Sequence, residues 1–206
     1  MQFSFVVFLF FALMLTGCHA RSPSAPQNEY QTITADPHRD TEAARELDNA
    51  ALKLMDKSDY AGAAPLLRQA LLKDVTFGPA HNNLGLVYFH QSQLYLAAWE
   101  FQYTIKLMPN QPEARNNLGL VFEAGGKFDQ AVDAFDQAMK LQPENPQFIG
   151  NDARARIRRG DTGPEVRELL AKIVQVDSRD DWIAWAKDRL IFMKSESRSP
   201  DKRQSP

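Results

Sequence analysis

One stretch, Pro112 to Pro143 (PEARNNLGLVFEAGGKFDQAVDAFDQAMKLQP), recurs at a fixed distance along the chain, and this limits the possible folds more than any other feature. Shifted back until Pro112 stands on Gly78, it covers Gly78 to Pro109, with Leu118 over Leu84, Gly119 over Gly85, Phe122 over Tyr88, Ala131 over Ala97, Phe135 over Phe101 and Pro143 over Pro109. A period of this length marks a repeat architecture, in which no unit buries its apolar face alone and each is stabilised by its neighbours. Inside the unit, a large apolar residue beside a small one, with an aromatic one turn later, suits a helix pressed closely on another. The break at Gly125 and Gly126 is followed by a second apolar periodicity through Phe128, Ala131, Phe135 and Ala138, so the unit reads as helix, turn, helix.

A further shift by the same period reaches Ala44 to Val75, where Ala63, Leu67 and Ala70 keep the second-helix pattern while Ala50 and Ala51 replace Leu and Gly. Downstream, Pro146 opens a fourth unit with Ala153 at the small position, Gly160 and Asp161 at the turn, Leu169 at the large apolar place, and Glu165 where the core alanine belongs. The L-G-x-x-F/Y core, the A-x-x-x-F run and the closing proline resemble the tetratricopeptide repeat (TPR), with His81 and Arg115 in place of the leading tryptophans. This resemblance implies an all-α fold, a right-handed TPR solenoid of three to four helix-turn-helix repeats with a C-terminal capping helix. Degenerate outer units are expected of such an array, because terminal repeats face water on one side.

Ahead of the repeats, Phe3 to Leu15 is an apolar run of about a dozen residues, shorter than the ~20 of a membrane-spanning helix and suited to a signal-peptide core. Leu15-Thr16-Gly17-Cys18 resembles the lipobox of bacterial lipoproteins, which implies cleavage before Cys18 and acylation of its thiol. Cys18 is the one cysteine of the chain, so no disulfide framework competes for it. The first twenty residues hold no Lys or Arg, a departure from the usual positive start of a signal peptide. The expected organisation is a signal peptide over 1–17, a lipid anchor and tether over 18–40, the solenoid with its cap over 41–193, and a disordered tail over 194–206. Pro23, Pro26 and Pro37 interrupt the polar tether, Thr41 offers a first helix cap, and Thr162-Gly163-Pro164-Glu165 reads as a capping box with an early proline. Trp182, Trp185, Ala186, Arg189, Leu190 and Met193 form the stripe of one amphipathic helix, read as the seal on the last repeat with partner anchoring as the lesser alternative. By analogy with lipoprotein sorting, His19 after the cysteine favours the outer membrane, facing the periplasm.

The formal net charge is −2, so no basic surplus points to nucleic acid. Histidines at 19, 38, 81 and 90 have no metal-ligand spacing, the glycines form no phosphate loop, and no nucleophile, base and orienting group can be assembled. The chain therefore reads as non-enzymatic, with no cofactor and no metal.

In the TPR family the first helices line a concave groove, and this directs attention to Asn49, Asn83, Asn117 and Asn151, each one period from the next. An amide carries donor and acceptor, so four could hold the backbone of an extended peptide; equally, they could simply solvate a helix face, the preferred reading for the outer two. Leu86 and Leu120 share the groove with Arg154 and Arg158. Asp48, Asp56, Glu113 and Glu123 set acidic character against these arginines, a polarity suited to a partner segment of opposite polarity. The basic pairs with which TPR co-chaperones grip a C-terminal carboxylate are absent, the corresponding places holding Asp48 and Leu52, and Asn82 and Leu86. Tyr95, Trp99 and Tyr103 run along one second helix, either as a partner contact or as the wall met by the next repeat. The reading is a membrane-anchored scaffold that binds a protein or peptide partner in its groove for assembly of an envelope complex, such as a pilus, secretion channel or cell-wall machinery. The alternative is a periplasmic chaperone or carrier of exported or unfolded chains.

Overall fold

The computed structural model describes residues 39–197. The signal segment, Cys18 and most of the tether lie outside the described residues, as does the tail past residue 197. The described residues form helices α1 (Thr41–Met55), α2 (Tyr60–Lys73), α3 (Gly78–His90), α4 (Leu94–Leu107), α5 (Pro112–Ala124), α6 (Phe128–Leu141), α7 (Pro146–Arg159), α8 (Pro164–Val176) and α9 (Asp180–Ser197), with no strand among them. They make an all-α solenoid of four antiparallel helix pairs and a final helix. Each pair packs within itself and on the next, and α1 touches α3, α3 touches α5 and α5 touches α7. Second helices of successive repeats make no comparable contact. The first helices therefore line the inside of the curve.

The turn between paired helices keeps a left-handed residue at the same place in every repeat. Ser58, Ser92, Gly126 and Gly160 follow one another at the repeat period, and all have positive φ, at 59°, 59°, 71° and 103°. Glycine takes this left-handed conformation without strain, whereas serine does so against its Cβ. Close approach of paired helices rests on the small residue: a Cβ on Gly85 would stand 2.7 Å from the Phe101 ring, and one on Gly119 only 2.5 Å from Phe135. Where the small residue is alanine, the opposing side chain shrinks. Ala51 shares its core cluster with Leu67, and Ala153 shares its cluster with Leu170.

The fourth repeat departs from the in-phase reading by one residue. Val166, Leu170 and Ile173 are the fully buried side chains of α8, so Leu170 and not Leu169 opposes Ala153, and Val166 takes the place read as Glu165. The cause lies after the left-handed residue: α6 begins two residues past Gly126, whereas α8 begins four residues past Gly160. The capping box does not form either, since the N-cap is Gly163, which has no side chain to bond, and Glu165 reaches Arg156 Nη1 at 3.1 Å instead. Pro164 opens the helix as expected. At the start of the array the cap is Asp40, accepting from Ala43 N–H, while the Thr41 hydroxyl donates to Asp74 Oδ2 at 2.7 Å. Burial works against the charge of Asp74, but hydrogen bonds from Thr41 and Thr76 and the nearby Arg39 hold its carboxyl below the usual range.

Helix α9 begins one repeat period after α7, in the place of a fifth repeat's first helix, and runs past Met193, the end read from its stripe, to Ser197. Ala186 and Met193 are buried against α8 and α7 residues, whereas Arg189 is exposed. The Trp182 ring lies so close to Gly150 that a Cβ there would stand 2.6 Å from it, and Trp185 meets Trp182 edge-on at 5.4 Å between ring centroids.

Candidate functional site

The inner face is built from α1, α3, α5, α7 and α9, and its residues fall into two registers. In the first, the sixth-position asparagine of one helix donates to the preceding helix. Asn83 Nδ2 reaches Asp48 Oδ1 at 2.8 Å, Asn117 Nδ2 reaches Asn82 Oδ1 at 3.2 Å, and Asn151 Nδ2 reaches Asn116 Oδ1 at 2.8 Å. Each bond spans 35 residues, so the ladder ties successive repeats together. Asn83, Asn116 and Asn151 are buried. Burial pushes the Asp48 carboxyl up from its ordinary value, against the opposing pull of the Asn83 amide. The ladder ends at Gly150, the next acceptor place in the series, onto which α9 lays the Trp182 ring in place of an amide.

The second register is apolar. Leu52, Leu86 and Leu120 recur at the repeat period; Leu52 is exposed and the other two are half-buried on the clusters of Phe101 and Phe135. In the fourth repeat this place belongs to Arg154, whose Nε and Nη2 donate to the two carboxylate oxygens of buried Glu123 at 2.8 and 2.6 Å. Arg154 also stands over the Trp182 ring, 5.5 Å from its centroid, and Arg179 lies 4.7 Å from the same ring. Arg154, Asp181, Trp182 and Trp185 enclose a pocket of about 310 Å³ at this end of the face. The face thus offers a row of leucines that leads to an aromatic pocket with one fixed guanidinium.

TPR family models match residues 49–112 and residues 112–145. The chain is a tetratricopeptide-repeat protein. Among solved structures it is similar to that of Pseudomonas aeruginosa PilF, with a TM-score of 0.68 at 19% identity over 75% of this chain and 70% of that one. It is also similar to a tetratricopeptide repeat protein from Parabacteroides merdae, at 0.65 and 16% over 76% and 62%. The first TPR of Spaghetti (RPAP3), bound to the HSP90 peptide SRMEEVD, aligns at 0.59 and 17% over 61% of this chain and all 100% of that one. At such identities the likeness is one of fold. No curated protein sequence matches the chain.

Within this TPR protein the asparagine ladder holds the repeats together, which corrects its reading as a rail for bound peptide: the amide N–H groups of Asn83, Asn117 and Asn151 are directed at the neighbouring helix. Asn49 is exposed, and among the described residues no earlier helix pair supplies it with an acceptor. Of the charges read as opposed, Glu123 is drawn to the basic end: Arg154 pairs with it and Arg158 Nη1 lies 3.3 Å from the same carboxylate, two guanidinium groups on one carboxylate across α5 and α7. Leu86 and Leu120 stand on α3 and α5 and are half-buried. Tyr95 and Trp99 are exposed on α4, while Tyr103 packs edge-on against His81 at 4.5 Å. No group of three His, Cys, Asp or Glu side chains suited to a metal occurs among the described residues.

Two residues escaped the sequence reading. Asp152 and Arg156 occupy the places of Leu118 and Phe122 one repeat earlier, and Asp152 is fully buried. Laying the fourth unit under the third, residue by residue, would have shown a carboxylate at a core leucine position, which is the signal that was available.

Proposed function

We propose that this TPR protein is a scaffold that binds an extended segment of a partner protein along its inner face, held to an envelope membrane through a lipid on Cys18. TPR arrays act as protein-interaction scaffolds and are generally non-catalytic, and the observation that carries the reading here is the row Leu52, Leu86, Leu120 ending at the Trp182 pocket. Its chemistry favours apolar side chains at spaced intervals with an aromatic or carboxylate-bearing group at the Trp182 end. A peptide as acidic as the SRMEEVD of the RPAP3 structure has no basic pair to meet, since Asp48 and Asn82 stand where such pairs would be. The apolar run Phe3 to Leu15 and the lipobox-like Leu15-Thr16-Gly17-Cys18 support work at an envelope membrane, where a scaffold would serve the assembly of an envelope complex.

The test is in-cell crosslinking and recovery of partners, comparing wild type with Leu52→Glu/Leu120→Glu, alongside a Cys18→Ser variant followed by membrane fractionation. One dominant partner lost from the double variant, with an unchanged melt, supports a scaffold using its inner face. Many weak partners would instead favour the carrier reading. Release of Cys18→Ser from the membrane fraction supports the lipid anchor, and retention argues against it.

A further inference from the structure

The fourth repeat holds a second cavity, of about 300 Å³, on the side of the second helices, between α6, α7 and α8. Its lining includes the carboxylates of Asp136, Asp152, Glu165 and Glu168 against two cations, Arg156 and Lys172. Both cations are occupied. Arg156 donates from Nε to Asp152 Oδ2 at 2.8 Å, from Nη2 to Asp136 at 2.9 Å and from Nη1 to Glu165 at 3.1 Å, and Lys172 bonds Glu144 and the Pro143 carbonyl at 2.8 Å each. This leaves Asp152 Oδ1, buried and without a hydrogen-bond donor, on a side chain with no exposed surface. A buried carboxylate oxygen without a donor is costly, and here it stands where the two preceding repeats place Leu84 and Leu118.

We propose that this cavity receives a lysine side chain from a partner protein, with its ammonium group donating to Asp152 Oδ1. An ammonium is a compact cation that can satisfy a single acceptor, whereas a guanidinium matches two oxygens side by side, and Oδ2 is already taken by Arg156. Met139, Ile149 and Leu169 in the same lining supply apolar surface for the four-carbon stem, and exposed Glu168 adds negative charge. Glu165, mostly exposed and held in the cavity wall by its one bond to Arg156, swings aside on entry. Burial raises the Asp152 carboxyl to about 6, with Arg156 and Arg159 pulling down and Asp136 pushing up, so the site becomes fully anionic only above that pH. This second face is independent of the leucine row.

The experiment is a titration of the full chain, methyl-labelled at Met, Ile and Leu, with N-acetyl-lysine N-methylamide and with its neutral norleucine counterpart. Saturable shifts at Met139, Ile149 and Leu169 are expected with the lysine amide, with norleucine at least about tenfold weaker. Binding should tighten between about pH 5 and about pH 7 as Asp152 ionises. It should disappear in Asp152→Leu/Arg156→Phe, which restores the residue types of the third repeat, while signals from the other repeats stay in place. Equal shifts from both amides, no saturable shift in wild type, or binding retained by the double variant would each overturn the proposal. Tighter binding of 1,5-diaminopentane than of the lysine amide would overturn its protein-partner half.

Discussion

In the third repeat Leu118 and Phe122 fill the space beside α5 with hydrocarbon; at the same places in the fourth, Asp152 and Arg156 fill it with an ion pair that extends to Asp136 and Glu165. The backbone is nearly unchanged by this exchange. α7 starts one repeat period after α5, its turn has the same left-handed residue, and its Asn151 donates the same asparagine bond to the first helix of the preceding repeat. The comparison teaches that the period is enforced by close helix approach, turn conformation and the inter-repeat amides, whereas the chemistry filling the core is free to vary. A buried ion pair usually contributes less stability than well-packed apolar residues of similar volume. The fourth repeat is therefore the less stable for the substitution.

The sharpest break in the comparison is at the small residue. Gly119→Leu drives a side chain into the Phe135 ring and should cost at least about 3 kcal/mol, with loss of a cooperative urea transition. Gly119→Ala alone should cost about 1–3 kcal/mol. Adding Phe135→Leu rebuilds the pairing that Ala153 and Leu170 already make in the fourth repeat, and should recover much of that loss. A double variant no better than Gly119→Ala would show that ring volume is not what the glycine accommodates.

Next in size is conversion of the fourth interior to the third. Asp152→Leu/Arg156→Phe should stabilise the chain by about 1–4 kcal/mol at neutral pH, read from urea melts. The gain has a pH signature with a definite sign. Asp152 binds its proton more tightly in the fold than in the open chain, so wild type has a contribution to stability that is full below about pH 4 and lost as pH rises through about 6. The variant lacks it, so its advantage should grow by up to about 3 kcal/mol from the acid side to neutrality. An advantage that shrinks with rising pH would mean that Asp152 is held ionised by Arg156 down to low pH.

Much of this array was legible in the chain because its determinants are periodic: Gly119 over Gly85, Phe135 over Phe101 and the proline near the start of later first helices give helix boundaries and register directly. Register failed in α8, where a longer turn after Gly160 moved Leu170 into the place read as Leu169, and pattern matching cannot see an insertion between two degenerate segments. The candidate site was less legible. The asparagine spacing was correct, but a spacing does not say whether an amide faces solvent or the next helix, a choice decided by Asp48, Asn82 and Asn116 as acceptors one residue off the register. Glu123 and Arg154 read as opposite poles because their charges are visible in the chain but the 2.6 Å contact between them is not.

The ladder supplies a smaller contrast. Asn151→Ala leaves the amide oxygen of Asn116 buried without a donor and should cost about 1–3 kcal/mol, whereas Asn117→Ala, whose partner Asn82 is half-buried and open to water, should cost about 0.5–1.5 kcal/mol. Partner affinity at the inner face should be unchanged in both. A loss of partner binding without a loss of stability would return these amides to the role of peptide ligands.

The smallest expected effect lies in the turns, where the third and fourth repeats use Gly126 and Gly160 and the first two use Ser58 and Ser92 at the same positive φ. A non-glycine residue in that region carries about 1–2 kcal/mol of steric cost, offset by the greater freedom that glycine loses on folding. Ser92→Gly should then stabilise by a few tenths to about 1 kcal/mol, and Gly126→Ser should destabilise by a similar amount. Measured together in one chain, the two changes should nearly cancel, since they exchange the same residue types between two turns of one geometry. A sum far from zero would show that the turns differ in more than the residue at their left-handed position, and that the extra strain is carried by the repeat that loses more.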